Sequence, residues 1–165
     1  MTLPFAALGA IVAALIETSV LPELPVGGTT TNLVFVLAVV ATVLIGVEDG
    51  LVWAFLGGLM LDLLVPARPL GATTFVFLLV VGVTFVATRI VGQGRLRAVA
   101  AAFLLTWLFI PLLLTVLAVT GGVALRTFDP GPVVVASILN AVVAVPAAVA
   151  FAAIARRFGD ERTDW

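Results

Sequence analysis

Residues Ala98 to Val119 read AVAAAFLLTWLFIPLLLTVLAV, with no charge anywhere in the run. A helix rises about 1.5 Å per residue, so this segment reaches across a ~30 Å hydrocarbon core as one helix. Five more apolar runs flank it, at about Leu3 to Val20, Asn32 to Val47, Gly50 to Val65, Gly71 to Thr88 and Val133 to Ala155. Strands do not fit them. A membrane barrel strand alternates apolar and polar residues over about ten positions, and Val76-Phe77-Leu78-Leu79-Val80-Val81 does not alternate. The expected fold is all-α: a polytopic membrane protein, one domain of 165 residues, folded as a compact bundle of six transmembrane helices. Spans two and three are short for a bilayer, so each is expected to bury one end in protein or to sit in thinned lipid. The linker Val47-Glu48-Asp49-Gly50 makes them an antiparallel hairpin.

Composition agrees. Hydrophobic residues are 63% of the chain, charged residues 10%, and the mean hydropathy is +1.33. A soluble domain of this size needs more polar surface to cover itself. The net charge of −1 gives the molecule no electrostatic claim on nucleic acid. Cysteine, histidine and tyrosine are absent, which removes disulfides, thiolate metal sites, the commonest metal ligand and the usual neutral-pH proton shuttle. No metal and no cofactor are expected. The start, Met1-Thr2-Leu3-Pro4, carries no positive charge, and the first run ends without a small-x-small cleavage site, so it reads as a true span.

All basic residues are arginine, and their distribution sets the orientation. With six spans, one side collects Arg89, Arg95, Arg97, Arg156, Arg157 and Arg162, and the other holds Arg68 and Arg126. Both termini are therefore expected in the cytoplasm. The tail after Arg156, with Asp160, Glu161, Arg162 and Asp164, reads as a solvated end. No internal repeat of the inverted type is visible.

Ionisable residues inside a span are costly and mark candidate sites. Two stand out: Glu17 near the outer end of span one, and Asp62 about 18 Å along span three. Glu17 is expected to reach headgroup water or cap a neighbouring helix start, with lining of a cavity as the alternative. Asp62 follows Gly58 by four residues, and Gly58 follows Ala54 by four, so the three share a flank that Gly57 extends. Small residues at this spacing let a second backbone approach closely. The expectation is that Asp62 pins the outer ends of spans three and four, through Arg68 or through the free amides at Gly71-Ala72-Thr73-Thr74. The same flank is the expected seat of a protein partner, with a Gly58→Leu change weakening its retention. Asn140 and Ser137 in span six, and Thr106 and Thr115 in span five, are expected to make interhelical hydrogen bonds, with Asn140 a second cavity candidate. Pro111 and Pro146 are expected to kink their helices, and Trp53 and Trp107 to pack. No Walker loop, Gly-x-Gly-x-x-Gly or nucleophile–base pair occurs, and Glu48 and Asp49 diverge as neighbours on a helix or turn do, so no enzymatic activity is expected.

The block from Asn32 to about Val83 resembles the rod shape-determining MreD family. The matching pieces are Thr31-Asn32-Leu33, where the family favours Pro-Asp-Leu, the glycine turn Gly46 to Gly50, Gly58-Leu59-Met60-Leu61-Asp62-Leu63-Leu64, and Leu70-Gly71. The resemblance covers about a third of the chain; spans one, five and six match only in hydrophobic character. It implies a non-enzymatic subunit of the bacterial elongation machinery in the cytoplasmic membrane. Its direct partner would be MreC, a single-span coiled-coil protein, with MreB, RodA and a class B penicillin-binding transpeptidase reached through it. The family is also similar in fold to the substrate-binding subunits of energy-coupling-factor transporters. That similarity supplies an alternative, a receptor for a small metabolite using Glu17, Asp62 and Asn140.

Overall fold

A computed structural model of the chain describes residues 3–66, 69–121 and 129–158. Six helices follow one another: α1 Leu3–Ser19, α2 Leu33–Leu44, α3 Val47–Leu64, α4 Ala72–Val91, α5 Arg95–Gly121 and α6 Pro130–Phe158. A 3₁₀ turn at Leu21–Glu23 and an isolated β-bridge between Val26 and Thr29 break the path from α1 to α2. Otherwise the described residues hold no strand, and the all-α expectation stands.

The short apolar helix α2 is the axis of the bundle. It packs against α1, α3, α4, α5 and α6, while the outer helices pack in sequence, α1 on α3, α3 on α4, α4 on α5 and α5 on α6. Nine of its twelve residues are buried, Val34 to Val36 and Ala38 to Val43. A helix apolar on every side belongs inside, because no flank of it gains from contact with a polar phase. Phe35 of α2 stacks on Phe109 of α5 with ring centroids 4.7 Å apart, and Phe77 of α4 sits 5.4 Å from Phe109. This aromatic cluster ties three helices at the middle of the core.

The outer helices invert the pattern of a soluble protein. On α1, Ala6, Ala10, Ala13 and Ala14 face inward, while Phe5, Leu8, Val12 and Leu15 are exposed. Small residues let α1 approach α3 closely, and the bulky apolar ones suit acyl chains rather than water. Four segments are long and apolar enough to cross a membrane: Pro4–Glu23, Ala72–Val91, Arg95–Thr120 and Pro130–Arg156. The six-span expectation thus narrows to six helices, of which four have the length and apolarity of a span. With 12 residues, α2 is only about 18 Å long. With 18 residues, α3 has the length but carries Glu48, Asp49 and Asp62.

The hairpin turn between α2 and α3 falls earlier than the sequence reading placed it. Ile45 and Gly46 both donate to the Ala41 carbonyl, and Gly46, at φ +151°, opens α3. Val47 to Gly50 form the first helical turn rather than the linker. Glu48 and Asp49 suit that place, since carboxylates near a helix start complement its positive end. Arg68, Arg126 and the tail residues Asp160, Glu161, Arg162, Asp164 and Trp165 lie outside the described residues.

Candidate functional site

The sequence reading singled out Glu17, Asp62 and Asn140, and the fold gives all three one task. Each supplies oxygen atoms to the start of a helix other than its own.

Asp62 does this for α4. Its carboxylate accepts hydrogen bonds from the backbone N–H of Gly71 (3.0 Å), Thr73 (3.0 Å) and Thr74 (3.2 Å), and from the Thr74 hydroxyl (3.1 Å). The first amides of a helix have no partner inside it. A side chain at the N-cap usually supplies one. Here the N-cap is Gly71, in the left-handed region at φ +90°, which favours a residue without a side chain. The acid reaches in from α3 instead and serves the N-cap, second and third positions together. Asp62 is 3% exposed, so these bonds form away from water, where an unserved amide is costly. Of the two partners expected for this carboxylate, the α4 amides are in contact; Arg68 is outside the described residues.

The flank leading up to Asp62 is closed from within. Ala54, Gly57, Gly58, Leu61 and Asp62 are all buried. A Cβ placed on Gly58 would lie 2.7 Å from the Thr74 Cα, so the α4 backbone rests on that glycine. A Cβ on Gly57 would collide with the Val34 side chain of α2. The small-residue flank therefore receives α2 and α4 of the same chain. A protein partner was the other expected occupant of this flank; here the α4 backbone at Thr74 and the Val34 side chain of α2 occupy the space the glycines leave.

Glu17 and Asn140 serve α2. The Glu17 carboxylate accepts from the Val34 N–H at 2.8 Å. The Asn140 Oδ1 accepts from the Asn32 N–H at 2.9 Å and from the Thr31 hydroxyl at 2.8 Å, and its Nδ2 donates to the Thr106 hydroxyl of α5 at 3.0 Å. Asn140 is fully buried and lies about 15 Å along α6 from Pro130. The start of α2 is thus carried into the bundle, with Thr31 and Val34 buried and Asn32 half-buried. Asn32, the N-cap, makes no side-chain cap of its own. An apolar interior demands that such amides be satisfied by protein, and α1 and α6 each send one side chain to do it. Both residues, considered also as cavity candidates, hydrogen-bond the α2 start.

The remaining polar residues are more local. Thr106 joins two helices through Asn140, but Ser137 and Thr115 donate to Val133 and Pro111, each one turn back in its own helix. The reading of those two as interhelical is corrected: a hydroxyl on a helix finds its nearest acceptor in the preceding turn. Trp53 is buried, edge-on to Phe151 at 5.8 Å and laid against Gly9 of α1, whereas Trp107 is 38% exposed.

No family model, curated protein or solved structure matches the chain.

Replacing Asn140 with leucine leaves the Asn32 amide and the hydroxyls of Thr31 and Thr106 without this partner. Loss of about 2–3 kcal/mol is expected. Thermal melting in mild detergent measures it as a fall of roughly 5–10 °C. Unchanged melting would mean that water reaches the α2 start.

Proposed function

We propose that the chain is a non-enzymatic integral membrane subunit of the bacterial cell-elongation complex, with an MreC-like coiled-coil protein as its direct partner. In this reading it lies in the cytoplasmic membrane with both termini inside. It connects through MreC to MreB, RodA and a class B penicillin-binding protein, and so helps set cell shape and peptidoglycan synthesis. One observation carries the choice between this and a metabolite receptor. Glu17, Asp62 and Asn140, the polar residues a receptor pocket would need, are engaged by backbone amides of the chain's own helix starts. That leaves a bundle whose intramembrane polar groups build the fold and whose outer flanks meet lipid or another protein. The partner would be met on the exposed apolar flanks of the outer helices, such as Phe5, Leu8, Val12 and Leu15 on α1, since the glycine flank of α3 is filled.

Co-purification tests the proposal. The tagged chain, extracted from its own cells in mild detergent, is expected to bring down an MreC-like protein, and a bulky substitution at Leu8 to reduce its yield. Recovery of a transporter ATPase in place of MreC would establish the receptor reading instead.

A further inference from the structure

The polar end of the bundle opposite the capped helix starts carries a different arrangement. Between the α2–α3 turn and the last turns of α4 lies a cavity of about 510 Å³, lined among others by Thr42, Glu48, Asp49, Thr88, Arg89 and Gln93. Its donors and acceptors are sorted. The hydroxyls of Thr42 and Thr88 each donate to a carbonyl of their own helix, at Ala38 and Phe85, so the oxygens have only lone pairs left to offer. With the carboxylates of Glu48 and Asp49 they make a wall of acceptors. Arg89 supplies the opposing charge, its guanidinium held over the Phe85 ring at 4.9 Å, and Phe85 is itself part of the lining.

Thr88 also lines a second hollow, an apolar groove of about 210 Å³ between α4 and α5. Val43, Ala87, Ala101 and Leu104 form its walls, and Arg97 stands at its rim, held by a 2.9 Å bond to the Gln93 carbonyl. A mixed-charge chamber therefore adjoins an apolar slot on the flank that faces lipid. The four charged residues, Glu48, Asp49, Arg89 and Arg97, sum to zero.

The geometry points to a bound phospholipid with a zwitterionic, primary-amine headgroup, that is, a phosphatidylethanolamine. Its phosphate meets Arg89, with Arg97 nearby. Its ammonium, which has three donors and no acceptor, meets the exposed Glu48 carboxylate and the Thr88 lone pairs. One acyl chain lies in the groove along Leu104. An anionic headgroup without an amine would leave the acceptor wall unmatched, and a soluble ligand would make no use of the slot.

The full-length chain in nanodiscs containing equal amounts of phosphatidylethanolamine and phosphatidylglycerol, released and read by native mass spectrometry, tests this. One phosphatidylethanolamine per chain is expected to be retained about tenfold over phosphatidylglycerol. Arg89→Ala and Leu104→Trp should both abolish retention. Glu48→Gln should remove the preference while keeping a bound lipid. All three positions are exposed, so melting should match wild type, and Arg156→Ala on α6 should retain lipid unchanged. A bound ratio equal to the supplied ratio, a preference for phosphatidylglycerol, or full retention in Arg89→Ala would each overturn the assignment.

Discussion

Replacing Gly58 with leucine is expected to push α3 and α4 apart and to lower the melting temperature in detergent by roughly 10 °C, equivalent to about 3 kcal/mol. The reason is the identity of the neighbour. A Cβ at this position would lie 2.7 Å from the Thr74 Cα and 3.0 Å from its nitrogen. Side chains can rotate away from an added methyl, but a helix backbone moves only as a body. The shift would also draw the Thr74 amide and hydroxyl from the Asp62 carboxylate, so packing and capping would fail together. Gly82, on the same α4, is the control: an added Cβ there meets nothing within 4 Å. A Gly82→Ala change should be neutral or stabilising by about 0.5–1 kcal/mol, because glycine is a poor helix former.

Asp62→Asn tests the other half of that contact. The amide side chain keeps one oxygen but turns an NH₂ towards a cluster of N–H donors, so at least one of the four bonds, that of the Thr73 N–H to Oδ1 or those gathered on Oδ2, becomes donor-to-donor. The negative charge facing the positive end of α4 is lost with them. A loss of about 3 kcal/mol is expected, since the site is buried and the abandoned amides have no water to turn to. Asp62→Asn should leave the α2 start unaffected, because Glu17 and Asn140 hold that end from other helices.

Much of this architecture is legible in the sequence. The apolar runs mark all six helices, since nothing else in the chain competes with hydrophobicity as a signal. The four-residue spacing of Ala54, Gly58 and Asp62 fixes which flank of α3 approaches a neighbour and points the acid at the glycine-led start of α4. Spacing cannot say whose backbone fills a flank, however. A glycine face suits a partner protein as well as an adjacent helix, and only the return of α4 through a short loop decides it. The depth of α2 was hidden for a related reason. Thr31-Asn32 looks like an ordinary loop ending in an N-cap, and the residue that satisfies it lies more than a hundred positions away in α6. The α2–α3 turn was misplaced because two adjacent acids read as a loop, when their charge equally suits the first turn of a helix.

The central claim is that Asp62 and Glu17 act as caps on helices other than their own. Amide hydrogen exchange of the detergent-solubilised chain measures it most directly. In the wild-type protein the amides of Gly71, Thr73 and Thr74, and those of Asn32 and Val34, are expected to be protected. Asp62→Asn should release the first group and leave the second, while Glu17→Gln should speed exchange at Val34 alone. Fast exchange of these amides in the wild type, or equal effects of the two substitutions on both helix starts, would contradict the account.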